Sequence, residues 1–202
     1  MILNRSLILN RSLVSVTLMG EPVPSKLTND CYSEGERAAM LRGQAWRGEV
    51  LKPLLETLTQ RGVTADQITL LSAVCGLGFC PAWLYSPIPA LMLLALHVLL
   101  DGVDGPLARF QKRASLRGSF TDTMADQVVI FATTLTLMTA GMVDVIAGGI
   151  YLFVYTVVVA LAMVRNSLRI PYSWLVRPRF LVYAAIPADL YLFPGAMNLL
   201  LI

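Results

Sequence analysis

Between Gln67 and Leu100 the chain runs for 34 residues without a formal charge. One helical crossing of a bilayer needs about 20 apolar residues, so this run is too long for one span and long enough for two. The cluster Tyr85-Ser86-Pro87-Ile88-Pro89 divides it. One span is expected over about 67–85 and another from about 89 into Asp101. Composition agrees. Hydrophobic residues make up 56% of the 202 and charged residues 14%, against about 25% charged in ordinary soluble proteins. A soluble domain of this length has no interior large enough for so much apolar surface. The chain reads as an integral membrane protein, and disorder, a collagen-like fibre and a disulfide scaffold are excluded. A net charge of +3 makes no case for a nucleic-acid partner.

The later sequence extends the pattern. A third span is expected from about Gly118 to Gly141 and a fourth over about 145–164, which carries no charge. A fifth apolar stretch, 180–202, is interrupted by Pro187, Asp189 and Pro194 and either bends into two short segments or lacks its last helix. The expected fold is an all-α integral membrane bundle of five to six transmembrane helices, preceded by an amphipathic juxtamembrane helix. Residues 1–32, with a duplicated hexapeptide (Ile2–Leu7, Ile8–Leu13), read as an irregular N-terminal extension. Residues 33–62 read as an interfacial helix. Ser33 and Glu36 have capping-box spacing, and Leu41, Trp46, Val50, Leu51, Leu54, Leu55 and Leu58 recur every three or four positions. Residues 63–202 are expected to form the transmembrane domain. Basic residues cluster before span one, between spans two and three, and between spans four and five, which places those segments on the cytoplasmic side. Cys31, Cys75 and Cys80 have no metal or redox spacing.

Charges at membrane depth are costly and need a reason. Asp101 and Asp104 are three positions apart, Asp122 and Asp126 four, so each pair shares a helix face. The short basic loop between them makes the two helices antiparallel neighbours, and their carboxylates can converge. Like charges in such a site repel unless a cation binds them, and hard oxygen ligands suit Mg²⁺ or Mn²⁺. Gly105, Ala108 and Gly118 lie one turn from these acids and leave room for a bulky substrate. Arg109, with Lys112, Arg113 and Arg117 nearby, can balance phosphate charge. The combination describes a site for a pyrophosphate-containing ligand at the membrane surface.

The run Asp101-Gly102-Val103-Asp104-Gly105-Pro106-Leu107-Ala108-Arg109, eight residues, then Gly118-Ser119-Phe120-Thr121-Asp122-Thr123-Met124-Ala125-Asp126 resembles the signature of the CDP-alcohol phosphatidyltransferases. That pattern is D-x2-D-G-x2-A-R-x8-G-x3-D-x3-D, and all eight fixed positions are met. The resemblance implies transfer of a phosphatidyl group from a CDP-linked lipid, CDP-diacylglycerol, to an alcohol acceptor, with release of CMP, in phospholipid biosynthesis. It implies that Asp101, Asp104 and Asp122 hold Mg²⁺ or Mn²⁺. Asp126 would face the metal as well and act as the general base. Gly105, Ala108, Arg109 and Gly118 would line the cytidine diphosphate pocket. It further implies a homodimer in the cell (inner) membrane, multi-pass, with the active site facing the cytoplasm.

Three features depart from the family pattern: Pro106 inside the motif, expected to kink span two; five spans placed where members usually have six; and Gln127, where members acting on glycerol phosphate often carry Lys. A transporter using intramembrane carboxylates would not need Gly105, Ala108, Arg109 and Gly118 at these spacings. A membrane prenyltransferase would place its two acidic motifs far apart in the chain, and an inactive scaffold retaining the motif is a further alternative. Arg165 and Arg169, and more distantly Arg177 and Arg179, are candidates for a phosphate on the acceptor. His97, one turn before Asp101, reads as a helix-packing residue that could support the acids. Gly141, Gly148 and Gly149 read as sites of close helix packing.

Overall fold

A computed structural model describes residues 34–168 and 178–201. The duplicated hexapeptide, Cys31, Ser33, Arg169 and Arg177 lie outside the described residues. The described chain is all helical: α1 (Glu34–Gln60), α2 (Ala65–Trp83), α3 (Pro87–Phe110), α4 (Leu116–Thr139), α5 (Val145–Ser167), α6 (Pro178–Tyr191) and α7 (Ala196–Leu201).

Each boundary has a local cause. Thr64 starts α2 with a capping box: its hydroxyl accepts from the Gln67 N–H at 3.3 Å, and the Gln67 side chain accepts from the Thr64 N–H at 2.9 Å. Ser115 caps α4 by accepting from the Gly118 N–H at 3.0 Å. The Asp144 carboxylate accepts from the N–H groups of Ile146 and Ala147 at the start of α5. Gly62 and Gly141, at φ 71° and 74°, end α1 and α4 in left-handed turns. Gly141 therefore serves a turn rather than helix packing, and nothing lies within 4 Å of a Cβ built on Gly149. Of the three glycines expected at packing contacts, only Gly148 is one: a Cβ there would meet Met138 Sδ at 2.6 Å. Helices α2 and α4 approach closely at Gly76, where a Cβ would lie 2.6 Å from Val129 Cγ1.

Three described helices are long and apolar enough to cross a membrane: α2, α3 and α5 through Arg165. Helix α4 has the length but a lower average apolarity, because it carries more polar residues, and those in its middle face inward. It buries Asp126, Thr133 and Thr134 beside Val129, Ile130 and Leu137, while Phe120, Val128, Phe131 and Leu135 are exposed on the opposite side. Hydropathy averaged along the helix misses this because the polarity belongs to one face. The fifth apolar stretch is a bent pair. Helix α6 continues through Pro187, and the break comes at 192–195, where Gly195 has φ 92°. Asp189 clamps this bend by accepting from the Met197 N–H at 2.7 Å. Helix α3 likewise continues through Pro106 to Phe110, so that proline does not end the helix at the motif.

The main core joins α2, α3, α4, α6 and α7 through Phe79, Leu94, Val129, Ile130, Leu137, Ile186 and Met197. Helix α1 docks separately: Leu55, flanked by Leu51 and Leu58, packs with Ile68 of α2 and Leu107 of α3. Among the residues of α1 whose side chains are described, Trp46, Val50 and Leu54 are exposed. The single stripe expected from the sequence is thus two, one against the bundle and one facing outward. Gln111 fastens the end of α3 to the α1–α2 turn by donating to the Val63 carbonyl at 2.7 Å.

Candidate active site

Five residues join α3 to α4, and the acidic residues sit at the ends nearest that loop. Contrary to the expectation of neighbouring helices, α3 and α4 barely touch along their length, because α2 packs against both. Carboxylate oxygens of Asp101, Asp122 and Asp126 lie within 4.8 Å of one another. Three carboxylates at that separation fit a small divalent cation. The fourth acid is held differently. Asp104 accepts from the Thr69 hydroxyl at 2.7 Å and from the Gly105 N–H. Its carboxyl neighbours those of Asp101 and Asp122, but α2 fixes its direction.

Beside the acids the backbone is open. A Cβ at Gly105 would meet only the Arg109 guanidinium, at 3.5 and 3.9 Å, and one at Gly118 only the Ser115 hydroxyl, at 3.3 Å. Ala108 is half-buried and Arg109 exposed one turn on, so small residues and a guanidinium share the helix face beyond the carboxylates. An anionic group can approach the α3 backbone here.

Residues 62–202 match the sequence profile of the CDP-alcohol phosphatidyltransferases. The chain belongs to this family. Over 105 residues it is 40% identical to the archaetidylinositol phosphate synthase of Aeropyrum pernix, covering 52% of this chain and 47% of that protein. Over 69 residues it is 35% identical to the bifunctional IPC transferase and DIPP synthase of Aquifex aeolicus, covering 34% of this chain and 16% of that protein. The chain thus spans about half the length of the first of these relatives and less of the second. Its fold resembles that of the Mycobacterium tuberculosis phosphatidylinositol phosphate synthase, crystallised with manganese and citrate. The TM-score is 0.62 at 20% identity, covering 74% of this chain and 78% of that one.

Within this phosphatidyltransferase fold four residues beyond the motif enter the site, three of them from α2 and α3. Thr69 holds Asp104. Ser72 holds His97: its hydroxyl donates to the His97 carbonyl at 2.9 Å, and its Oγ and carbonyl oxygen lie 2.8 and 3.1 Å from His97 Nδ1. With two acceptors at Nδ1, that nitrogen carries the proton. His97 Nε2 then points toward Asp126, 4.0 Å from Oδ1, so His97 stands against the acidic cluster as well as packing the helices.

The fourth is Arg179 of α6, which is 1% exposed. Its Nη2 donates to Asp101 Oδ2 at 2.6 Å and its Nη1 pairs with Asp126 Oδ2. Arg179 therefore faces the carboxylates, whereas Arg165 is exposed at the end of α5. A basic residue next to a Pro at the start of an apolar stretch was the available signal, but spacing cannot reveal a contact 78 residues away.

Proposed function

We propose that this protein transfers a phosphatidyl group from CDP-diacylglycerol to an alcohol acceptor and releases CMP. The observation that carries the proposal is the convergence of Asp101, Asp122 and Asp126 within 4.8 Å, at the end of a motif met at all eight positions. We assign Asp101, Asp104, Asp122 and Asp126 as the ligand set for Mg²⁺ or Mn²⁺, with Asp104 steered by Thr69. When bound there, a divalent ion supplies charge neutralisation for the diphosphate and the departing CMP.

The chain's own residues do the rest. Gly105, Ala108 and Gly118 leave the space the cytidine diphosphate occupies, and Arg109 offers a planar donor set to its phosphates. Asp126 accepts the proton of the acceptor hydroxyl as the oxygen attacks phosphorus in line with the leaving CMP oxygen. Arg165 and Arg169, at the end of α5 and just past it, are placed in the chain to meet a phosphate on the acceptor. Two of the three relatives are named for an inositol phosphate lipid, which supports inositol phosphate as that acceptor. Arg109, Lys112, Arg113 and Arg117 all lie at the end of the bundle that holds the acids, which supports a site facing the cytoplasm in a multi-pass inner-membrane protein. We extend the proposal to a homodimer, on family membership. In domain terms, 33–62 acts as the interfacial helix and 63–202 as the catalytic unit.

The test supplies the purified protein with CDP-diacylglycerol, Mg²⁺ or Mn²⁺ and a panel of acceptors, and measures CMP. Inositol phosphate should give the fastest release. Release with serine or glycerol phosphate instead would replace the acceptor while keeping the reaction. No release with any acceptor, together with cation flux in vesicles, would replace the reaction with transport.

A further inference from the structure

The acidic cluster already holds a cation of the protein's own. The Arg179 guanidinium spans the gap between Asp101 on α3 and Asp126 on α4, using one terminal nitrogen for each carboxylate. These are two of the three residues whose oxygens converge for a metal. We infer that Arg179 is a resident counter-cation that leaves the Asp101–Asp126 pair when a divalent ion enters, so that metal loading releases the start of α6 from α3 and α4. The inference rests on the reading of these aspartates as metal ligands.

Three observations favour exchange over coexistence. First, both cations address the same two carboxylates in a buried space where like charges are poorly screened. A divalent ion bound at ordinary oxygen distances would face the guanidinium across a few ångströms. Second, the arginine is incompletely satisfied. Among the described residues no acceptor reaches its buried Nε, so this resting place leaves one donor unmet. Third, the guanidinium already has a hold besides the carboxylates, one that a metal on those carboxylates does not take away. The guanidinium carbon is 5.0 Å from the Phe180 ring centroid, and Phe180 lies at the exposed edge of α6.

Without a counter-charge, three converging carboxylates would repel each other before a metal binds. The arginine closes the cluster until metal arrives. The same contact explains why α6, whose main hold on the bundle is otherwise apolar, meets α3 and α4 at the level of the motif. While it holds Asp126, it also occupies the carboxylate assigned as base, so the metal-free protein is inert by construction as well as by lack of metal.

The experiment measures Mn²⁺ binding by electron paramagnetic resonance on the full chain in detergent, with no substrate. Arg179→Gln should bind Mn²⁺ about tenfold tighter than wild type, and Arg179→Lys, which keeps the charge, within about threefold of wild type. Equal or weaker binding by Arg179→Gln overturns the inference and means that the arginine coexists with the metal. Hydrogen exchange on the wild type provides a second reading, independent of whether that variant folds. Exchange over 178–186 should rise when Mn²⁺ is added, and a fall or no change would overturn the inference. Asp122→Asn separates the two levels, because it leaves in place Asp101 and Asp126, the two carboxylates that Arg179 bridges. If wild-type Mn²⁺ binding survives Asp122→Asn, the ligand assignment fails. If binding is lost there but Arg179→Gln binds no tighter, only the exchange fails.

Discussion

Helices α3 and α4 each have two unlike ends. Away from the motif they are held by shape: Leu94 of α3 and Val129, Ile130 and Leu137 of α4 are buried against Phe79, Ile186 and Met197 without a polar contact among those side chains. Near the motif they are held by charge and hydrogen bonding: Thr69 on Asp104, Ser72 on His97, Arg179 on Asp101 and Asp126. Inside a bilayer, apolar packing gains little from expelling water, so close fit supplies the stability of the first end. Directed polar contacts cost more when left unmade than they return when made, so they fix geometry at the second end rather than add stability. The difference teaches that damage to one end should appear in folding and damage to the other in chemistry.

The largest expected effect lies at the acidic end. Asp126→Asn removes the assigned base, keeps the shape and leaves Arg179 its bond to Asp101. CMP release should fall by about 10²–10⁴-fold while the helical circular dichroism spectrum stays that of wild type. Full turnover by this variant would show that another group takes the proton.

The packed end should behave in the opposite way. Ile186 is fully buried among α6 and its neighbours, and Ile186→Ala leaves a cavity. We expect a loss toward the lower end of about 2–5 kcal/mol in an unfolding titration, because lipid replaces water as the competing environment. CMP release per folded molecule should be unchanged. A drop in specific activity with no loss of stability would erase the distinction between the two ends. Gly76→Ala sits between them. Its new methyl would meet both Val129 methyls at 2.6 and 2.8 Å and His97 Cγ at 3.1 Å, and all three belong to well-fixed side chains. About 1–3 kcal/mol of destabilisation is expected, with a smaller fall in activity through displacement of His97 toward Asp126. Glycine-to-alanine change at the open position Gly102 serves as the control, since nothing there lies within 4 Å.

The two ends also differ in how far they could be read from sequence. Spans and their order follow from uncharged runs and proline clusters, which act locally, so α2, α3 and α5 could be placed within a few residues. The carboxylates could be brought together because i,i+3 and i,i+4 spacing and one short loop determine their faces. Asp104 escaped that logic: it shares a face with Asp101 but is turned by a hydroxyl on α2, a contact that no spacing within α3 encodes. Ser72 was missed, and Arg179 was read as a residue for the acceptor phosphate rather than as a partner of the acids, for the same reason, since each acts across helices. Gly76 and Gly141 show a subtler limit. Glycine is used both for close approach and for positive φ, and the sequence does not say which is needed until neighbours and backbone are in place.

The smallest effect is a gain. Lys112 follows α3 with φ 55°, the left-handed conformation that Gly62 and Gly141 adopt at the ends of α1 and α4. The hydrogen bonds are alike too: Lys112 N–H to the Arg109 carbonyl at 3.0 Å and Arg113 N–H to the Ala108 carbonyl at 2.8 Å match the pattern that Gly62 and Val63 make at the end of α1. A side chain in that conformation costs roughly 1–2 kcal/mol, and glycine's freedom in the unfolded chain returns about 0.5–1 kcal/mol of any gain. Lys112→Gly should therefore be more stable than Lys112→Ala by about 1 kcal/mol, a comparison in which the charge is lost from both proteins. If the alanine variant proves equally stable, the loop relaxes at no cost and the link between α3 and α4 is looser than the site it positions. If the glycine variant gains as expected but CMP release falls equally in both, the lysine was retained at this strained turn for its charge beside the site rather than for the fold.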